Sequence, residues 1–156
     1  MTMAPLEILV IDDDEIQLRF LEILIGSIND GEHRVHSALS FDSARAIIQQ
    51  RNIGMVLTDF FMPGVNGMAV LEEVKKINPE IDVVVMTASP DIGTAVEIMK
   101  NGAYDFLSKP VEKTILGKLI LRIQEKQTLR SENLQLREQL QENTKIDTII
   151  SESPEM

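Results

Sequence analysis

Asp59 closes the apolar run Met55-Val56-Leu57-Thr58 and is followed, after Phe60-Phe61-Met62, by the turn pair Pro63-Gly64. An apolar run of strand length that stops at a carboxylate and then turns reads as a buried strand delivering one charge to the rim of a sheet. A single aspartate there could simply open the turn. Three other strand-like runs also end in polar groups. Glu7–Ile11 runs into Asp12, Asp13 and Asp14, Val83–Met86 into Thr87, and Tyr104–Leu107 into Ser108 and Lys109. Ligands of open α/β sheets bind outside the carboxyl ends of the strands, so these four ends describe one site.

Asp12, Asp13 and Asp59 bring three carboxylates to neighbouring strand ends, an arrangement that is unfavourable unless a cation neutralises it. An all-oxygen set favours a hard ion such as Mg²⁺, which keeps waters and takes a few carboxylates together with a phosphate oxygen. Helix capping would account for one aspartate of the 12–14 run and leave its neighbours without a reason. Lys109 is a compact cation on a flexible stem, suited to gripping a phosphoryl oxygen, although a lysine before proline is more often solvated. Thr87 offers a hydroxyl donor. Tyr104, the single tyrosine, has buried packing as its plainer role.

The elements that must position these groups alternate along the chain. Strands are expected at 6–11, 34–39, 55–58, 82–86 and 104–107, with the second at an edge and the three-valine run of the fourth placed centrally. Helices are expected from Glu15 to about Ile28, from Ser40 or Asp42 through Ile48, at 67–77, at 91–100, and from Glu112 for some thirty residues. Ile16, Phe20, Ile23, Leu24 and Ile28 form the expected inward stripe of the first helix. Ala44, Ile47 and Ile48 do so in the second, and Met68, Leu71, Val74 and Ile77 in the third. Five strands alternating with five helices give an α/β fold, a doubly wound five-stranded parallel sheet with helices on both faces.

The chain has 156 residues and 44% hydrophobic content, enough for one ordinary core with an appendage. Fifteen basic against twenty-five acidic residues give a formal charge of -10, which would repel a phosphate backbone and argues against direct nucleic-acid binding. There is no cysteine, which excludes disulfides, zinc thiolates and thiol nucleophiles. No stretch is apolar and long enough for a membrane span and no export signal opens the chain, so a soluble, cytoplasmic protein is expected.

Four stretches together are similar to a known family. Ile-Leu-Val-Ile-Asp-Asp at 8–13, Leu-Thr-Asp-Phe-Phe-Met-Pro-Gly at 57–64, Met-Thr-Ala at 86–88 and Gly-Ala-Tyr-Asp-Phe-Leu-Ser-Lys-Pro at 102–110 resemble the receiver domain of two-component response regulators. The resemblance spans about residues 6 to 125 and implies a flavodoxin-like fold. It implies Asp59 as phosphoacceptor, with Asp12, Asp13, Asp59 and the backbone carbonyl of Phe61 around Mg²⁺. Thr87 and Tyr104 would be the switch pair, Lys109 would grip the phosphoryl group, and the Lys109–Pro110 bond would be cis. The implied partner is a sensor histidine kinase, and the domain would catalyse only its own phosphorylation and dephosphorylation. A haloacid-dehalogenase-type phosphatase also uses an aspartyl phosphate, but it needs a second aspartate where this chain has Phe61. A stand-alone receiver acting as a phosphorylation-dependent binding module is the alternative.

The tail extends the expectation to three segments: a receiver domain at 1–125, a helical linker at 126–147, and the start of a following domain at 148–156. Leu129, Asn133, Leu136 and Leu140 are spaced four, three and four apart, the seam of a two-stranded coiled coil, so a homodimer through the C-terminal helix is expected. Thr148-Ile-Ile-Ser-Glu-Ser-Pro-Glu-Met156 is similar to the opening of the AAA+ domain of nitrogen-regulation-type, sigma-54-dependent transcription activators, with Ser151 where that family usually has glycine.

Overall fold

The structure, a computed structural model, describes residues 3–88 and 91–151, with side chains to residue 140. Five strands, β1 (Glu7–Ile11), β2 (Arg34–Ala38), β3 (Met55–Asp59), β4 (Asp82–Thr87) and β5 (Asp105–Ser108), form one parallel sheet in the order β2-β1-β3-β4-β5. Parallel strands covered on both faces should be apolar throughout, and every residue of β3 and β4 is buried. The edge position expected for the second strand is found. The middle of the sheet belongs to β3, which carries Asp59, while the valine-rich β4 lies one place out, between β3 and β5.

The helices are α1 (Glu15–Gly26), α2 (Phe41–Gln50), α3 (Gly67–Ile77), α4 (Ile92–Lys100) and α5 (Lys113–Ser151). Four begin at a side-chain cap: Asp14, Ser40, Asn66 and Asp91 accept from the amides of Ile16, Ser43, Ala69 and Thr94. Each such cap is worth about 1 kcal/mol. Leu18, Leu21 and Ile25 of α1 and Leu116, Leu119, Ile120 and Ile123 of α5 pack on one face of the sheet. Residues of α2, α3 and α4, including Phe41, Val70 and Ile98, pack on the other. The doubly wound expectation therefore holds.

The inward stripe expected for α1 is corrected. Ile16 and Ile23 are 81% and 67% exposed and Phe20 is also exposed, whereas Leu18, Leu21 and Ile25 are the buried face. Both sets recur at helical spacing, so periodicity alone could not choose between them. Of the expected stripe, Leu24 is partly buried and Ile28 is buried, the latter in a separate turn of 3-10 helix at Ile28–Gly31. In α3 the fully buried residues are Val70, Leu71 and Val74, with Met68 and Ile77 at the margin.

The last helix is continuous from Lys113 to Ser151, and among its described side chains the last buried apolar one is Ile123. Leu129, Asn133, Leu136 and Leu140 are all exposed. Residues 152–156, most of the string compared with an AAA+ opening, lie outside the described residues, as do the side chains from 141 onward.

Candidate functional site

The carboxyl ends of β1, β3, β4 and β5 deliver Asp12, Asp59, Thr87 and, one residue beyond β5, Lys109 to the same rim of the sheet. Adjacent registers bring the first two together: Ile11 pairs with Thr58 across β1 and β3, so the next residue of each strand is Asp12 and Asp59. Both carboxylates are buried, whereas Asp13 is exposed. One ligand oxygen from each of Asp12, Asp13 and Asp59 lies within 4.8 Å of the other two.

The local backbone holds this geometry in place. The Asp14 amide donates to Asp12 Oδ1 at 3.0 Å, fixing the carboxylate, while the Asp14 side chain caps α1. Capping is thus the work of Asp14, which leaves Asp12 and Asp13 for another role. The loop after β3 folds into a two-residue antiparallel ribbon, Phe61–Met62 against Val65–Asn66. It is closed by the Gly67 amide donating to the Phe60 carbonyl at 2.7 Å. A Cβ on Gly67 would stand 2.8 Å from the Phe60 Cα, so only glycine lets α3 start this close to the loop that follows Asp59. The Phe61 amide lies 3.4 Å from Asp59 Oδ1, and its ring is exposed.

Lys109 faces both buried acids, its Nζ 3.0 Å from Asp59 Oδ1 and 3.4 Å from Asp12 Oδ2. The lysine enters this position through a cis Lys109–Pro110 bond, as expected, and its amide donates to the Thr87 carbonyl at 2.9 Å. Burial pushes the Asp12 carboxyl above its usual range, against the Asp14 amide and the charge of Lys109, which favour the ion. Burial alone would lower the Lys109 ammonium, but its hydrogen bond to Asp59 and the charges of Asp12 and Asp59 outweigh that and raise it. One cation serving three carboxylates leaves the cluster net negative. That charge, and the all-oxygen donor set at one rim, fit a hard divalent ion such as Mg²⁺.

The switch pair is where the structure departs from expectation. Thr87 ends β4 on the parity of Val83 and Val85, both of which face the α2–α3–α4 layer. Tyr104 packs on the opposite layer, beside residues of α1 and α5, with the Lys126 ammonium 5.1 Å above its ring. Phe106 is the aromatic on the Thr87 face, and it pairs in register with Val85. Reading 104 to 107 as the strand put Tyr104 and Phe106 on one face by simple alternation. β5 begins at Asp105, so the alternation does not extend back to Tyr104. His33 and His36 sit before and within β2, away from this rim.

Residues 8–121 match the family described as response regulator receiver domain. The chain belongs to this family. Among its relatives is the transcriptional regulatory protein ZraR of Escherichia coli O157:H7, 38% identical over 112 residues, covering 72% of this chain and 25% of that protein. The C4-dicarboxylate transport transcriptional regulatory protein DctD of Rhizobium meliloti is 29% identical over 156 residues, covering 100% of this chain and 33% of the relative. Among solved structures, NtrX from Brucella abortus in complex with ATP is similar at a TM-score of 0.76 with 34% identity, over 86% of this chain and 30% of that one. The receiver chain thus spans about a quarter to a third of the curated relatives it matches.

Proposed function

We propose that this receiver accepts a phosphoryl group on Asp59 from a phosphohistidine of a sensor histidine kinase, and that the resulting charge switches its conformation. The observation carrying this reading is the position of Lys109, 3.0 Å from Asp59 and 3.4 Å from Asp12 beside a three-carboxylate cluster. An Asp59 oxygen attacks the phosphorus and the P–N bond breaks. The electron pair stays on the imidazole nitrogen, which takes a proton from water. A carboxylate is already ionised, so no separate general base is required. Asp12, Asp13, Asp59 and the Phe61 carbonyl would hold Mg²⁺, whose contribution is to neutralise charge on the transferring group. Lys109 grips a phosphoryl oxygen as a point charge.

The Thr87 hydroxyl then turns to a phosphoryl oxygen, and Phe106, on the same face, moves into the space it leaves. Phe106 replaces Tyr104 as the aromatic half of the pair. The donor approaches over the strand ends, where α1 begins. The exposed Ile16, Phe20 and Ile23 of that helix offer it an apolar surface, which suits a protein donor.

The relatives, about three times as long as this chain, support an output domain beyond the linker, with a sigma-54-dependent AAA+ activator as the reading. The exposed Leu129, Leu136 and Leu140 support a parallel homodimer through α5. Among the described residues no helix is long and apolar enough to cross a membrane, and a cysteine-free signalling domain fits the cytoplasm. The test is intact mass after treatment with acetyl phosphate and Mg²⁺. One phosphoryl adduct is expected, and none with Asp59→Asn. An unchanged adduct on that variant overturns the assignment.

A further inference from the structure

The opposite rim of the sheet carries a second polar cluster that phosphoryl chemistry does not use. Asp82, the first residue of β4, is 2% exposed. Its Oδ1 lies 2.7 Å from Lys126 Nζ, and its Oδ2 accepts from Gln127 Nε2 at 3.1 Å. The Gln127 amide nitrogen also lies 2.6 Å from the Gly54 carbonyl. One turn later Arg130 reaches both the carboxylate and the carbonyl of Glu80, at 2.6 and 3.0 Å. Just before, Gln124 donates to the Ala4 carbonyl at 2.9 Å.

These contacts begin where the apolar ones end. Among the described side chains of α5, Ile123 is the last buried apolar one, and from Gln124 to Arg130 the helix is held by polar bonds to three separate stretches of chain, at Ala4, Gly54 and Glu80–Asp82. A buried carboxylate is costly without partners, so Asp82 is hydrogen-bonded and ion-paired by side chains that reach it while α5 lies across it. Gly54 allows the close approach, because a Cβ there would stand 2.5 Å from Gln127 Oε1. Tyr104 supplies the floor under Lys126.

We propose that Asp82, Gly54 and Tyr104 form a fixed joint for the linker, setting the direction in which α5 leaves the domain so that helix and domain turn as one piece. What the joint transmits rests on the phosphoacceptor reading; its existence does not. The joint also gives Tyr104 a role in place of the switch.

The experiment uses the full chain with spin labels at Glu72 and Arg137, diluted with unlabelled chain so that only distances within a molecule are read. A narrow distance distribution is expected for the parent. Asp82→Asn combined with Lys126→Met removes both charges together, so neither is left buried alone, and should at least double the width. Gly54→Ala, whose Cβ displaces the end of Gln127 and presses lightly on Leu6, should broaden it too and carries the test if the double variant does not fold. Widths unchanged in folded variants overturn the joint. Phosphoryl uptake at Asp59, measured by mass on the same samples, is expected to be unchanged, so failure of the joint and failure of the phosphoacceptor reading are told apart.

Discussion

Thr87 and Phe106 face the same layer of helices from neighbouring strands, two residues apart in register, while Tyr104 packs on the other side of the sheet. A hydroxyl that reads the new phosphate can therefore free space for Phe106 and not for Tyr104. Thr87→Ala should still take up phosphoryl but show a reduced amide-shift response to beryllofluoride. Phe106→Ala should reduce that response as well, whereas Tyr104→Phe should leave it intact. A normal response in Phe106→Ala would return the switch to another residue.

Lys109 and the acids are expected to separate by role. Lys109→Ala should keep Mg²⁺ binding, since a cation is removed from beside the ligands, yet should uncouple phosphorylation from the shift response. Asp13→Ala should lose Mg²⁺ dependence. Titration of Mg²⁺ followed by amide shifts distinguishes the two; tight binding retained by Asp13→Ala would place the ion elsewhere.

The corrected face of α1 makes a stability prediction. Leu21 is fully buried, so Leu21→Ala should cost about 2–5 kcal/mol through lost burial and a cavity. Ile23 is mostly exposed, and Ile23→Ala should change stability by no more than about 0.5 kcal/mol. Denaturant unfolding of both variants checks it, and the opposite order would restore the stripe that spacing suggested.

Strands β1, β3 and β4 announce themselves because they are covered on both faces and so are continuously apolar. Asp12, Asp59 and Thr87 are legible because each ends or follows such a run, whereas Phe106, inside the mixed run of β5, is not. The α1 phase was not, because Ile16, Phe20 and Ile23 compete with Leu18, Leu21 and Ile25, and packing against the sheet decides between them. The Asp82 cluster left no sequence signal at all: its partners lie 44 and 45 residues away on α5, and only the fold brings them together.

His33 should make stability depend on pH. Its Nδ1 accepts from the Leu6 amide at 3.0 Å, which requires that nitrogen to be unprotonated. Burial holds its pKa below the ordinary 6.5, against the opposing charge of Glu32. The unfolded chain therefore binds the proton first as pH falls. The contribution is complete above about pH 6.5 and is lost on acidification toward the lower folded value. Denaturant midpoints measured between about pH 8 and about pH 5 should fall less steeply for His33→Gln than for the parent. Identical slopes would remove His33 from the account.

The exposed leucines of α5 predict concentration-dependent dimerisation. Leu129→Lys with Leu136→Lys should give a monomer by sedimentation at tens of micromolar, with the domain melting unchanged. A dimer surviving both substitutions would put the contact on another surface.

The two polar clusters stand at opposite ends of β4, and six residues of extended chain place Thr87 and Asp82 about 17 Å apart. That span is roughly twice the distance over which dissolved salt screens exposed charge, about 8 Å under physiological conditions. Where Lys126 is half exposed to solvent, the charge of a phosphoryl group on Asp59 is therefore weakened by screening. Whatever the linker learns of the acceptor's state must arrive as displacement of packed strands and helices, not as a direct pull on its charges. Its response should accordingly be insensitive to ionic strength, and the linker's own charges can vary in sequence without disturbing the chemistry at the other rim.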